Sequence, residues 1–151
     1  KIARHITAFS GIPCRGACGL AMYRAVTRKI AVTVTPRYSS ERSSPSNGYY
    51  FWAYTIDIAN QGPETVQLKT RHWRITDALG RLQEVKGPGV VGEEPVLKPG
   101  ESFEYTSGVP LPTPSGFMAG SYGMITAAGD HFDVEIPAFS LDAPSEERTL
   151  N

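Results

Sequence analysis

Tyr50, Trp52, Tyr54, Ile56 and Ile58 fall on one parity of a single run, with Thr55 and Asp57 on the other. Successive side chains of a strand point to opposite faces, so a period of two makes this run a half-buried strand and excludes an amphipathic helix. The pattern recurs along the chain. Ile30, Val32 and Val34 alternate with Ala31, Thr33 and Thr35, and Phe103 and Tyr105 alternate after residue 101. Tyr122, Met124 and Thr126 share a face, as do Phe132, Val134 and Ile136, with His131, Asp133 and Glu135 facing out. Val66 and Leu68 open a further strand that continues to Trp73 and Ile75. Its apolar parity switches on the way, which predicts a bulge or a strand buried on both faces.

Turn chemistry separates these runs. Pro36 ends the first, and residues 39–48, SSERSSPSNG, read as a polar loop. Asn60-Gln61-Gly62-Pro63, Asp77-Ala78-Leu79-Gly80, Lys98-Pro99-Gly100-Glu101 and Ala127-Ala128-Gly129-Asp130 read as turns, the second a hairpin into Arg81–Lys86. Residues 109–116, VPLPTPSG, are expected to form a proline-rich loop that cannot pair regularly. No segment reads as an amphipathic helix. About seven short strands joined by Gly/Pro turns predict an all-β fold, an antiparallel β-sandwich. Tyr122, following Gly120-Ser121, is expected to act as a tyrosine corner that ties its hydroxyl to loop backbone.

With 151 residues the chain is expected to form one main domain, over residues 22–144, which buries roughly two-thirds of its unfolded surface. Residues 145–151 read as a tail. Residues 1–21 hold Lys1, Arg4 and Arg15 and no acid, a charge of +3, and the remainder carries −3. This leading segment is expected to be disordered or not native: upstream of a true start at Met22, added sequence, or a targeting peptide. The main domain has no basic excess, which argues against nucleic acid as a partner. No apolar run approaches the ~20 residues that cross a bilayer, so no membrane span is expected. Both cysteines, Cys14 and Cys18, lie in the leading segment, and C-x-x-x-C without further ligands is a poor zinc site. A cysteine-free domain suits a reducing compartment.

Gly87, Gly89 and Gly92 stand in the order G-x-G-x-x-G after Lys86. A dinucleotide fold needs a helix after the third glycine, because its N-terminal N–H groups hold the pyrophosphate. Pro95 and Pro99 oppose that helix, each costing about 3 kcal/mol inside one. Glu93 and Glu94 also put negative charge where phosphate would sit. Two readings remain for Lys86, Gly87, Gly89 and Gly92: a pyrophosphate loop built on free backbone N–H groups, or a sharp inter-strand loop that needs positive φ. Arg71 and Trp73 share a face opposite His72. They form either a recognition surface or a core tryptophan covered by arginine, with His72 hydrogen-bonded at a sheet edge. Leu111, Pro112 and Pro114, with Phe117 nearby, are either a stiff protein-docking segment or a rigid crossover between sheets. His131, Asp133 and Glu135 line one face, as metal ligands or a solvated surface do; with no second ligand cluster, no metal or other cofactor is assigned. The domain's histidines are His72 and His131, and Ser107, Ser115 and Ser121 lack a nucleophile elbow, so no catalytic residue is assigned and the chain is not read as an enzyme.

Several segments together resemble the ApaG family: AVTVTPRY (31–38), NQGPETVQL (60–68), the long run from Arg71 to Gly108, LPTPSGFMAGSY (111–122) and FDVEIPAFSL (132–141). The resemblance spans roughly Met22 to Pro144 and implies an immunoglobulin-like or fibronectin type III-like sandwich. It implies a bacterial gene beside a diadenosine tetraphosphate hydrolase and a tie to cobalt and magnesium tolerance. Similar eukaryotic domains, in an F-box protein and a polymerase-delta-interacting protein, imply protein binding. The resemblance therefore implies a cytoplasmic, non-catalytic binding module for another protein. The alternatives are a binder of pyrophosphate-containing nucleotides such as diadenosine polyphosphate, or a role in divalent-metal handling. Edge strands also leave a homodimer open.

Overall fold

The core is built from the parity just described. In the computed structural model, which describes residues 4–7 and 21–144, Val32, Val34, Trp52, Ile56, Ile58, Leu68, Phe103, Tyr122, Met124, Val134 and Ile136 are all buried. The described residues form ten strands: β1 (Arg4–Thr7), β2 (Tyr23–Thr27), β3 (Ile30–Tyr38), β4 (Tyr50–Asn60), β5 (Val66–Asp77), β6 (Leu82–Pro88), β7 (Val96–Leu97), β8 (Ser102–Leu111), β9 (Ser115–Thr126) and β10 (His131–Asp142). One sheet runs β1-β8-β4-β3-β2 and the other β10-β9-β5-β6, with β7 added to β5. Every pairing is antiparallel. The two sheets pack face to face as the expected sandwich.

The parity switch in β5 is a bulge. Leu68 faces Met124 and Thr70 faces Gly123, so Lys69 is the extra residue. Before it Val66 and Leu68 point inward; after it Trp73 and Ile75 do. The bulge therefore turns Arg71 to the interior and His72 to the outside.

Five details differ from the sequence reading. Pro36 does not end its strand: β3 runs on to Tyr38, with Pro36 opposite Tyr54, because β2 stops at Tyr23 opposite Val34 and leaves Pro36 on an edge. β2 pairs with β3 through Arg28 and Lys29, which have φ of 49° and 68°. This is the primed hairpin turn that glycine and asparagine normally signal, and neither is present to mark it. The segment 109–116 was expected not to pair, yet β8 continues to Leu111, with Pro110 opposite Phe51. Among the described residues β8 has no partner on this side beyond Tyr105, so Pro110 lies on a sheet edge, where proline's missing N–H is tolerated. β9 begins already at Ser115 because Gly116 has no side chain; a Cβ there would lie 2.5 Å from the Thr76 carbonyl oxygen. Finally, Tyr122 does not tie to loop backbone. Its hydroxyl meets that of Tyr105 at 2.5 Å, joining one sheet to the other.

Within the leading segment, Arg4–Thr7 pair with Ser102–Tyr105 on the edge of the first sheet. The rest of residues 1–20, including Cys14 and Cys18, and the tail from residue 145 lie outside the described residues. Among those described, no helix is long and apolar enough to cross a membrane.

Candidate functional site

The glycine motif folds as the end of β6 and a tight hairpin. Gly87 is within β6 opposite Arg71, and Val90 and Glu93 exchange reciprocal backbone hydrogen bonds of 2.8 Å around Val91 and Gly92. Val91 and Gly92 have φ of 43° and 81°, the two positive values of a type I′ turn. Gly89, at φ 61°, lets the chain fold back; a Cβ there would stand 2.3 Å from the Glu93 carbonyl oxygen. The Gly89 N–H donates to the Lys69 carbonyl at 2.8 Å, so it is engaged with backbone. The carbonyls of Pro88 and Gly89 both accept from Arg71 Nη1 at 2.9 Å. Lys86 projects on the opposite face of β6 from this contact, beside His72. Glu94 pairs with Lys69 at 2.8 Å on the exposed side.

Arg71 lines a cleft of about 360 Å³ between the sheets, where β6 faces the end of β8. Trp73, Val85, Val90, Val109 and Met118 supply apolar walls, with Tyr54 and Ser107 as polar members. Burial raises the Tyr54 phenol above its ordinary value; Ser107 and the Arg71 charge pull the other way and are outweighed. Behind it, burial pushes Tyr105 and Tyr122 far up, so all three phenols stay neutral at ordinary pH. Trp73 and Leu111, candidates for a docking surface, are core residues at 4% exposure each. Trp73 packs edge-on against Tyr54 and Phe139.

The outer face of the second sheet is ordered in rows by the register. Leu82, Thr76, Phe117 and Ser140 form one row, Glu84, Arg74 and Ala119 the next, and Lys86, His72, Ser121 and Glu135 a third. The first row carries two open apolar side chains among hydroxyls: Leu82 is 59% and Phe117 50% exposed, with Thr76 between them, and Leu79 at the adjoining hairpin tip is 70% exposed. Pro112 and Pro114 are exposed on the short loop that leads into β9. This region was hidden to sequence reasoning, which had Phe117 but could not place Leu79 and Leu82 beside it. His72 does not hydrogen-bond at an edge: β5 lies between β6 and β9, and Nε2 is buried 3.6 Å from Glu84 Oε2, too far for a bond. His131, Asp133 and Glu135 are exposed along β10, and no His/Cys/Asp/Glu group is gathered as a metal site among the described residues.

Two antiparallel sheets packed face to face over a shared core make this an immunoglobulin-like or fibronectin type III-like sandwich. The ApaG domain profile matches residues 40–126. A Rhodopseudomonas palustris protein named Protein ApaG is 68% identical over 130 residues, covering 86% of this chain and all of that one. The Protein ApaG of Rhodospirillum centenum is 67% identical over 123 residues, 82% of this chain and 95% of that one. A crystal structure of a Bordetella pertussis protein described as ApaA is 52% identical with a TM-score of 0.75, over 76% of this chain and 94% of that one. This chain belongs to the ApaG family.

Proposed function

We propose that this ApaG domain is a non-catalytic binding module whose partner is another protein, docked on the outer face of the second sheet at its β6 edge. The observation that carries this reading is the open row of Leu82 and Phe117 beside Leu79. Among the described residues β6 pairs only with β5, so its other edge offers unpaired backbone N–H and C=O groups next to that row. An extended partner segment added to such an edge gains affinity from the main chain, and specificity from apolar side chains on alternate positions. The hairpin geometry of residues 87–93, whose backbone groups are largely engaged internally, favours this surface over the pyrophosphate loop.

The test is photo-crosslinking in the source organism with p-benzoylphenylalanine at position 117 or 82. Position 26 is the control, because Val26 is equally apolar and 50% exposed but on the other sheet. A discrete protein adduct from 117 and 82 and none from 26 supports the reading. Equal adducts from all three positions, or none, defeats it. An adduct of twice the chain mass would assign the face to self-association instead.

A further inference from the structure

The cleft between β6 and β8 holds a cation that docking on the outer face leaves unused. Arg71 Nη1 donates to the carbonyls of Pro88 and Gly89, which hold the guanidinium in place without neutralising it. Ion pairs among the described residues join Lys69 to Glu94 and Arg81 to Asp77; neither reaches Arg71. Guanidinium carries five N–H donors, so those on Nη2 and Nε remain beyond the two carbonyl contacts. Gly87 makes room for this arrangement. The group lies flat over it, with Cζ, Nη1 and Nη2 all 3.1–3.2 Å from where a Cβ would stand. The remaining walls are mostly apolar, and Ser107 and Tyr54 offer hydroxyls beside the charge.

We propose that this cleft binds a small organic carboxylate, with its charge on Arg71 and its apolar body against Val85, Val109 and Met118. One guanidinium with an open edge matches one carboxylate in charge and in its two-pronged geometry. A phosphate dianion fits worse, since Lys86 stands on the other face of β6 and the Pro88 and Gly89 carbonyls put partial negative charge beside the arginine. At about 360 Å³ the space lies near the lower end of ligand pockets, which selects a compact molecule. The apolar lining rewards a hydrocarbon body that a simple inorganic anion lacks.

The experiment is an NMR titration of the full chain with hexanoate, hexanamide, phenyl phosphate, and a hydrophobic tripeptide with free or amidated C-terminus. The readouts are the amides of Val85 and Ser107 and the Arg71 Nε–H. Saturable shifts there with hexanoate, absent with hexanamide, are expected. Arg71→Met keeps the apolar stem and should weaken hexanoate at least about tenfold, the loss expected for a charge-assisted hydrogen bond. If that variant does not give a folded spectrum, Gly87→Ala, which crowds the guanidinium, should weaken binding in its place. Tighter binding of phenyl phosphate, binding of the free-ended tripeptide without hexanoate, or equal response to hexanoate and hexanamide would each overturn the proposal. So would a flat titration or shifts confined to the outer face, and none of these results depends on whether a protein partner crosslinks at position 117.

Discussion

Tyr105 and Tyr122 place a polar contact where the core is otherwise apolar. Their hydroxyls bond across the two sheets at 2.5 Å, and both residues are buried, at 3% and 0% exposure. Removing one hydroxyl strands the other without water, at a cost of about 1–3 kcal/mol. Removing both leaves an apolar contact of nearly the same shape. Tyr105→Phe and Tyr122→Phe are therefore each expected to destabilise by that amount in urea denaturation, with the double variant losing clearly less than their sum. The same pair sets an alkaline limit. Burial raises both phenols well above the ordinary value of 10.0, with Tyr54 raised as well. The unfolded chain releases these protons first, so above about pH 10 it binds fewer than the native state and stability falls as pH rises. Denaturation midpoints measured from pH 8 to 11 should drop steeply in the wild type and less steeply in the double phenylalanine variant, where Tyr54 keeps part of the slope.

Hairpins decide how strands become sheets, and two of them carry their own tests. Arg28 and Lys29 hold the left-handed conformation between β2 and β3, which costs a side-chain-bearing residue roughly 1–2 kcal/mol. Arg28 recovers some of this by lying 4.3 Å from the Phe132 ring centroid. Lys29→Gly should thus raise stability by about 1 kcal/mol, read as a higher urea midpoint. Asp77 organises the β5–β6 turn: Oδ1 accepts from the amides of Leu79 and Arg81, and Oδ2 from Arg81 Nε at 2.8 Å. Burial alone would raise its pKa, but these donors and the Arg81 charge outweigh it and hold the carboxyl below its ordinary 3.8. A depressed carboxyl stabilises the fold above the unfolded value and loses that contribution as pH falls through the folded one. Asp77→Asn should flatten the acid limb below pH 4 and speed hydrogen exchange at Leu79 and Arg81. Asp57 opposes it: burial and then Glu104 raise its carboxyl, so its contribution has the other sign. This hairpin was legible because Asp-Ala-Leu-Gly states its turn. The β2–β3 hairpin was not, because Arg-Lys carries no turn signal and its conformation is imposed by the strands on either side. The bulge at Lys69 was legible as a change of parity. The pairing of Pro110 was not, since local sequence does not say that β8 has become an edge there.

Which strands become edges is a property of the whole molecule, and here it separates the residues that hold the fold from those that face a partner. β10, at the far end of the chain, packs near β2 at the start of the domain, and the Glu135 N–H donates to Thr27 Oγ1. The alternation that marks both strands is silent about this meeting, as it is about β6 lying outermost in its sheet. Arg71, Trp73 and Phe117 were all visible in the sequence as candidates for a surface, yet only the assembled sandwich sends Arg71 into the cleft, Trp73 into the core and Phe117 to the open face. Two phenylalanines test this partition. Phe139 is buried on β10 and contacts Tyr23, Tyr54 and Trp73, bringing both sheets and four strands to one ring. Phe139→Ala should cost about 3–5 kcal/mol, a large share of the stability of a domain this size, and lower Tm by roughly 10–20 °C. Phe117 is half exposed on the outer face, and Phe117→Ala should move stability by no more than about 0.5 kcal/mol. Thermal melts of the two variants should therefore diverge sharply. The crosslink formed from position 82 should weaken in Phe117→Ala at a temperature where that variant is fully folded. If Phe117→Ala melted as early as Phe139→Ala, the exposed row would belong to the core and would not be a free face for a partner.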